Sequence, residues 1–141
     1  MSEDTRKVEE ANKALVQDSF DAWAAGTGGV FGLLAEDATW TIVGNSPMSR
    51  TYNGRAEFLS QVIDPFNARL STPLVPNVHA LYADGDTVIA YFDASATAKD
   101  GKPYFNTDTW YLDMTDGRVT RAVAFFDTIE FTDFWNRIPV G

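Results

Sequence analysis

The chain of 141 residues has no cysteine and one histidine, His79. Disulfides and thiol chemistry are therefore excluded, and a reducing compartment, the cytoplasm, is the expected location. A zinc site lacks its usual donors, so no metal is expected. Basic residues are also scarce: 11 Lys and Arg against 20 Asp and Glu leave a net charge of −9. A nucleic-acid binder neutralises phosphates with clustered cations, so nucleic acid is not an expected partner. There is no P-loop and no GxGxxG, hence no nucleotide fingerprint, and no cofactor is expected. No apolar run approaches the length of a membrane helix. The opening MSEDTRKVEE lacks the apolar stretch of a signal peptide, and no membrane association is expected.

What is present is a globular composition, 45% hydrophobic and 13% aromatic, in a length that suits one domain over residues 1–141. Asp-Gly pairs fall at 84–85, 100–101 and 116–117, between runs rich in Val, Ile, Tyr, Phe, Trp and Thr. Asp-Gly between such runs signals a hairpin, because both residues tolerate the positive φ of a type I′ turn. The spacing predicts an antiparallel meander of four strands at 74–83, 86–98, 103–114 and 118–130. The first half reads differently. Val8, Ala11, Leu15, Phe20 and Trp23 give a helix from Asp4 to Ala25, ended by Gly26, Gly28 and Gly29. A short helix over 30–36 and a strand over 39–43 follow. A further helix starts near Gly54, with Asn53 as cap, an apolar stripe of Phe58, Val62, Phe66 and Leu70, and a kink at Pro65. The tail FTDFWNRIPVG is a last helical turn or an arm.

Two-residue turns fix a register. Centred on Asp100–Gly101, the hairpin sets Asp93 opposite Asp108, Tyr91 opposite Trp110 and Ser95 opposite Asn106. Centred on Asp116–Gly117, it sets Asn106 opposite Asp127, Asp108 opposite Phe125 and Trp110 opposite Val123. Alternation puts all of these on one face, with Ile89, Leu112, Met114, Val119 and Ile129. Three aspartates then meet in an apolar concavity. Burial and like-charge repulsion resist their ionisation, so neighbours share a proton, and an acid beside a base is what proton transfer needs. A bulge would move one aspartate to the other face, and Arg121 shares the expected face as a neutralising partner. The second face, with Ala90, Phe92, Ala94, Thr107, Thr109, Tyr111, Ala122, Ala124 and Phe126, reads as a surface for another subunit. His79 lies on that outer face if the first turn has two residues, and inside beside Tyr91 if it has three.

The segments LLAEDATWTI, NGRAEFLSQV, YADGDTVIAYF and DGRVTRAVAFFDT, in this order of elements, resemble the nuclear-transport-factor-2-like superfamily, and within it the SnoaL-like, ketosteroid-isomerase-like branch. The resemblance implies an α+β fold: a cone-shaped, cystatin-like α+β barrel whose curved antiparallel sheet wraps N-terminal helices. The ketosteroid isomerase base would fall at Ile42, and its oxyanion tyrosine at Phe20, so that machinery is missing; its protonated aspartate lies near Asp108. Limonene epoxide hydrolases place acids similarly to Asp127 and Asp93, but their arginine is Tyr91 here. SnoaL-like cyclases use an aspartate similar in position to Asp127 as base. The loop holding Asn45, Ser46, Met48 and Tyr52 is, by the same resemblance, at the cone mouth.

The expectation is a cofactor-independent acid–base enzyme for a small, mostly hydrophobic molecule. Asp127 is the expected base, and Asp93 and Asp108 a proton-sharing pair. Asn106 and Tyr91 would orient the substrate by hydrogen bonds. Trp110, Phe125, Trp23, Trp40, Phe58, Val62 and Asn45 would contact it. The other reading is a non-catalytic dimeric module of the same fold that binds a small ligand. A homodimer through the outer sheet face is expected in both.

Overall fold

The computed structural model describes residues 3–140. Strands β3 (Val75–Asp84), β4 (Thr87–Thr97), β5 (Pro103–Thr115) and β6 (Arg118–Phe126) form the antiparallel meander. Strand β1 (Leu34–Ile42) lies parallel to β6, and the short β2 (Thr51–Asn53) pairs antiparallel outside β1. The order β2-β1-β6-β5-β4-β3 gives one curved sheet that does not close, mixed rather than wholly antiparallel.

The turns decide which residues look inward. Thr115 pairs with Arg118 across Asp116–Gly117, whose φ values of 51° and 76° are the positive pair that a type I′ turn needs. Asp84 pairs with Thr87 across two residues, Gly85 and Asp86. The middle turn differs. The Ala98 N–H donates to the Lys102 carbonyl, and Gly101, at φ 86°, takes the left-handed position of a three-residue loop. The Asp100 carboxylate accepts the Lys102 N–H and the Arg137 guanidinium, which holds that loop.

The extra loop residue moves β4 by one position against β5. Phe92 faces Asp108, Ala90 faces Trp110 and Ala94 faces Asn106. A bulge at Thr120 shifts β6 in the same way, so Asp108 faces Phe126 and Trp110 faces Ala124. A one-residue slip exchanges the faces of a strand. Phe92, Ala94, Ala124 and Phe126 therefore look inward, while Tyr91, Asp93, Ile89 and Phe125, expected inside, look outward. The pairing of Asp93 with Asp108 does not form; Asp93 pairs with Thr107.

Helix α1 (Glu3–Ala25) lies against β3 and β4. It buries Glu9, Asn12, Val16 and Phe20, a face turned by one residue from the expected Val8 and Leu15, which stay exposed. On this buried face the Glu9 carboxylate accepts the Gly85 N–H at 2.7 Å and ties the helix to the β3–β4 turn. A 3₁₀ turn (Val30–Leu33) leads into β1. Helices α2 (Arg55–Phe58) and α3 (Asp64–Asn67) are joined by a π-helical turn (Leu59–Ile63) directly before Pro65, which has no N–H to give the ladder. Phe58, Val62 and Phe66 form their buried stripe.

Strand β6 stops at Phe126, four residues before the expected end, and the tail is a full helix, α4 (Thr128–Arg137). Ile129, expected on the inner sheet face, is in its first turn and is 83% exposed. Phe131, Phe134, Trp135 and Ile138 pack with Phe66, Leu70, Ala98 and Tyr104 as a second core beside the main one. No helix among the described residues is long and apolar enough to cross a membrane.

Candidate functional site

The concave sheet face, the end of α1 and the segment from α2 to α3 enclose a cavity of about 640 Å³. Trp23, Trp40, Phe58, Val62 and Trp110 line it. The rings prop one another apart. Trp40 stacks on Phe58 at 4.4 Å and meets Trp110 edge-on at 4.9 Å, and Phe92 meets Trp110 edge-on at 4.7 Å. Such contacts hold the wall rings in place and keep them out of the void. The Trp23 indole N–H donates to the Leu74 carbonyl at 2.8 Å, so the glycine-rich end of α1 is tied to the loop that follows α3.

Asp108 is the only acidic or basic side chain lining this space among the described residues. Alternation along β5 places it inward between Asn106 and Trp110. Burial among apolar groups raises its pKa to about 7, the Trp110 indole opposes that shift, and the charge of Asp93 adds to it. At neutral pH this carboxyl is poised between giving and taking a proton.

The other two aspartates lie elsewhere. Asp93 is on the convex face, where it accepts the Thr107 hydroxyl at 2.7 Å and meets His79 Nε2 at 2.7 Å. These bonds, the Thr107 one foremost, hold its carboxyl below the usual range. His79 sits at a bulge of β3 and lies beside Tyr91, ring centres 4.8 Å apart, on that same outer face. Asp127 is the N-cap of α4: its carboxylate accepts the Ile129 and Glu130 N–H groups at 3.0 and 3.2 Å. Tyr91 and Phe125 are 42% and 45% exposed on the outside. Asn45 is exposed in the loop after β1 and does not line the cavity.

Asn106 is buried and serves the junction of β6 with α4. Its Oδ1 accepts the Asp127 N–H at 2.9 Å and its Nδ2 donates to the Asp127 carbonyl at 3.0 Å. The same Nδ2 donates to the Tyr104 hydroxyl at 2.9 Å. Tyr104 lines the cavity, and burial raises its pKa well above the ordinary tyrosine value. Tyr104 is absent from the residues expected at the site from sequence, although it lies two residues before Asn106 on the same strand and alternation alone places it on the inner face. So are Phe92 and Phe126, which the assumed register turned outward. No group of three His, Cys, Asp or Glu side chains among the described residues is placed to hold a metal ion.

Solved structures share this architecture. Bal32a, from a soil-derived mobile gene cassette, superposes with a TM-score of 0.75 at 22% identity, over 91% of this chain and 98% of that one. PrhC from Penicillium brasilianum gives 0.74 at 19% identity, covering 92% and 89%. TerC, co-crystallised with polyporic acid, gives 0.71 at 18% identity, covering 89% and 98%. At such identities the likeness concerns the fold. No curated protein matches the chain in sequence. A family model described as the SnoaL-like domain matches residues 16–122, most of the chain, and with the shared fold this establishes that the chain belongs to the SnoaL-like domain family.

Proposed function

We propose that the chain is a cofactor-independent acid–base enzyme that takes a small, mostly apolar molecule into the cone and uses Asp108 as its proton donor. The observation that carries this reading is a carboxyl in an aromatic cavity, the only one lining it among the described residues, with a pKa raised to about 7. A carboxyl kept neutral in this way delivers a proton to a substrate oxygen, and its conjugate base then removes one from carbon or water. Isomerisation, cyclisation, dehydration and hydrolysis all contain such a step. Asp127 and Asp93, each engaged in hydrogen bonds away from the cavity, are left out of the chemistry.

The test is a thermal-shift screen of small apolar compounds, then turnover of the hits by wild type and Asp108→Asn. The substitution is expected to lower kcat/KM by about 10²- to 10⁴-fold. The wild-type rate should be level below pH 7 and fall above it, since the acid must hold its proton. Full turnover by the variant would rule the assignment out. A wild type that binds compounds and turns none over would favour the non-catalytic ligand-binding reading instead.

A homodimer through the convex face is the second part of the proposal. Tyr91, Phe105, Tyr111 and Phe125 project there, each more than a third exposed, and Tyr111 contacts Phe125. Apolar surface of this extent favours coverage by a second copy. Light scattering at micromolar concentration should report a dimer, and Tyr111→Glu should report a monomer. A monomeric wild type would remove the dimer.

A further inference from the structure

The polar network beside the cavity has a direction, set by the main chain. A backbone N–H only donates and a carbonyl only accepts. Since the Asp127 N–H meets one end of the Asn106 amide and the Asp127 carbonyl meets the other, the amide has one permitted orientation. Its NH₂ group therefore points to the Asp127 carbonyl and, with its remaining hydrogen, to the Tyr104 oxygen. Tyr104 is the acceptor in that contact, so its own proton is left for another acceptor. No side chain or carbonyl among the described residues takes it. Its hydroxyl belongs to a residue only 4% exposed that lines the cavity, and Asp108 is the charged group that acts on it most strongly.

We propose that Tyr104 is a second hydrogen-bond donor to the bound molecule, and that the cavity selects compounds carrying an acceptor oxygen, ketones above all, over hydrocarbons of the same shape. The inference rests on the reading of the cone as a site for a small apolar molecule. It adds that Tyr104 and a protonated Asp108, two of the polar groups of the cavity wall, both donate. A carbonyl ligand satisfies a donor that is otherwise buried without an acceptor, whereas a hydrocarbon leaves it unpaired. Asn106 acts through Tyr104 and is a positioning residue.

The experiment compares two rigid probes of nearly equal shape, 9-fluorenone and fluorene, by quenching of the tryptophan emission. Tyr104→Phe keeps the ring that packs against Phe66 and Phe134 at 5.4 and 4.6 Å, so the fold is retained and a thermal melt checks it. Wild type should bind fluorenone more tightly than fluorene. Tyr104→Phe should weaken fluorenone about fivefold and leave fluorene unchanged. The infrared carbonyl stretch of bound fluorenone should move to higher frequency in the variant, a change that altered packing alone does not produce. Equal losses for both probes, or an unmoved stretch, would overturn the role of Tyr104 and leave the acid reading of Asp108 standing. Failure of both probes to bind wild type would sink the cavity reading itself, and this inference with it.

Discussion

Replacing Asp108 with Asn makes the protein more stable at pH 8 and has little effect near pH 4. The sign follows from the raised pKa of about 7. Between the unfolded carboxyl pKa and that value, the native state holds a proton that the unfolded chain has released, so native stability falls as pH rises through this window. Above pH 7 the penalty is complete, because a carboxylate faces an apolar wall. A shift of this size corresponds to at most about 4 kcal/mol, the free energy that an amide of the same shape escapes. Denaturation of both proteins in urea at pH 4, 6 and 8 measures it. The stability difference should open steadily from pH 4 to pH 7 and then stay constant. Curves that remain parallel throughout would mean that Asp108 ionises in the native state as it does in an unfolded chain. The general acidity of the molecule, −9 in net charge, acts almost equally on both proteins and cancels in the difference.

Phe134→Ala costs about 3–5 kcal/mol and does so unevenly. Phe134 is fully buried, and its ring lies 5.0 Å from Phe66 and 4.6 Å from Tyr104, in the core that joins α4 to the rest. The helix has other ties. Arg69 donates to the Trp135 carbonyl at 3.0 Å and to the Pro65 carbonyl at 2.9 Å, and its guanidinium lies 3.8 Å over the Trp135 ring. Among the described residues no carboxylate pairs with this buried cation; it sits at the C-terminal turn of α4, where the helix dipole favours it. Loss of the Phe134 ring removes the packing that those polar contacts depend on. In hydrogen exchange, the amides of 128–138 should open at lower free energy than those of β4 and β5. Ligand affinity should fall as well, since Phe131 of the same helix lines the cavity. Equal loss of protection across sheet and helix would show that α4 is not a separable unit.

The sequence made strands and turns easy to find and facing hard. The Asp-Gly pairs mark three hairpins, and each glycine takes the positive φ that its turn demands. Only Asp116–Gly117 forms the expected two-residue turn with both residues at positive φ; the first turn is Gly85–Asp86. The pairs say nothing of loop length. A single additional residue in the loop at Gly101, and the extra one at Thr120, reversed the sides assigned to Tyr91, Asp93 and Phe125. The Gly101 loop depends in part on Arg137, 36 residues further along, which reaches back to Asp100. The bulge has no signature in the residues around Thr120. Asp108 and Trp110 kept their inward place because β5, the strand shared by both hairpins, needs only alternation relative to Leu112 and Met114. Asp127 in FFDT followed by a helix was a legible cap, and the strand reading over 118–130 concealed it. The cavity rings Trp23, Trp40 and Phe58 stand out by residue type, whereas Tyr104 was hidden among the many aromatics of the strands.

Asp93 and Asp108 belong to opposite sides of a partition one polypeptide layer thick, in neighbouring strands. Such a thin barrier divides solvent from interior but shields charge poorly, so the negative group outside makes the inner carboxyl hold its proton more firmly. His79 Nε2 lies 2.7 Å from that outer carboxylate, on the same side of the partition. The proton affinity of the interior is thus set in part by a group that never enters the chamber.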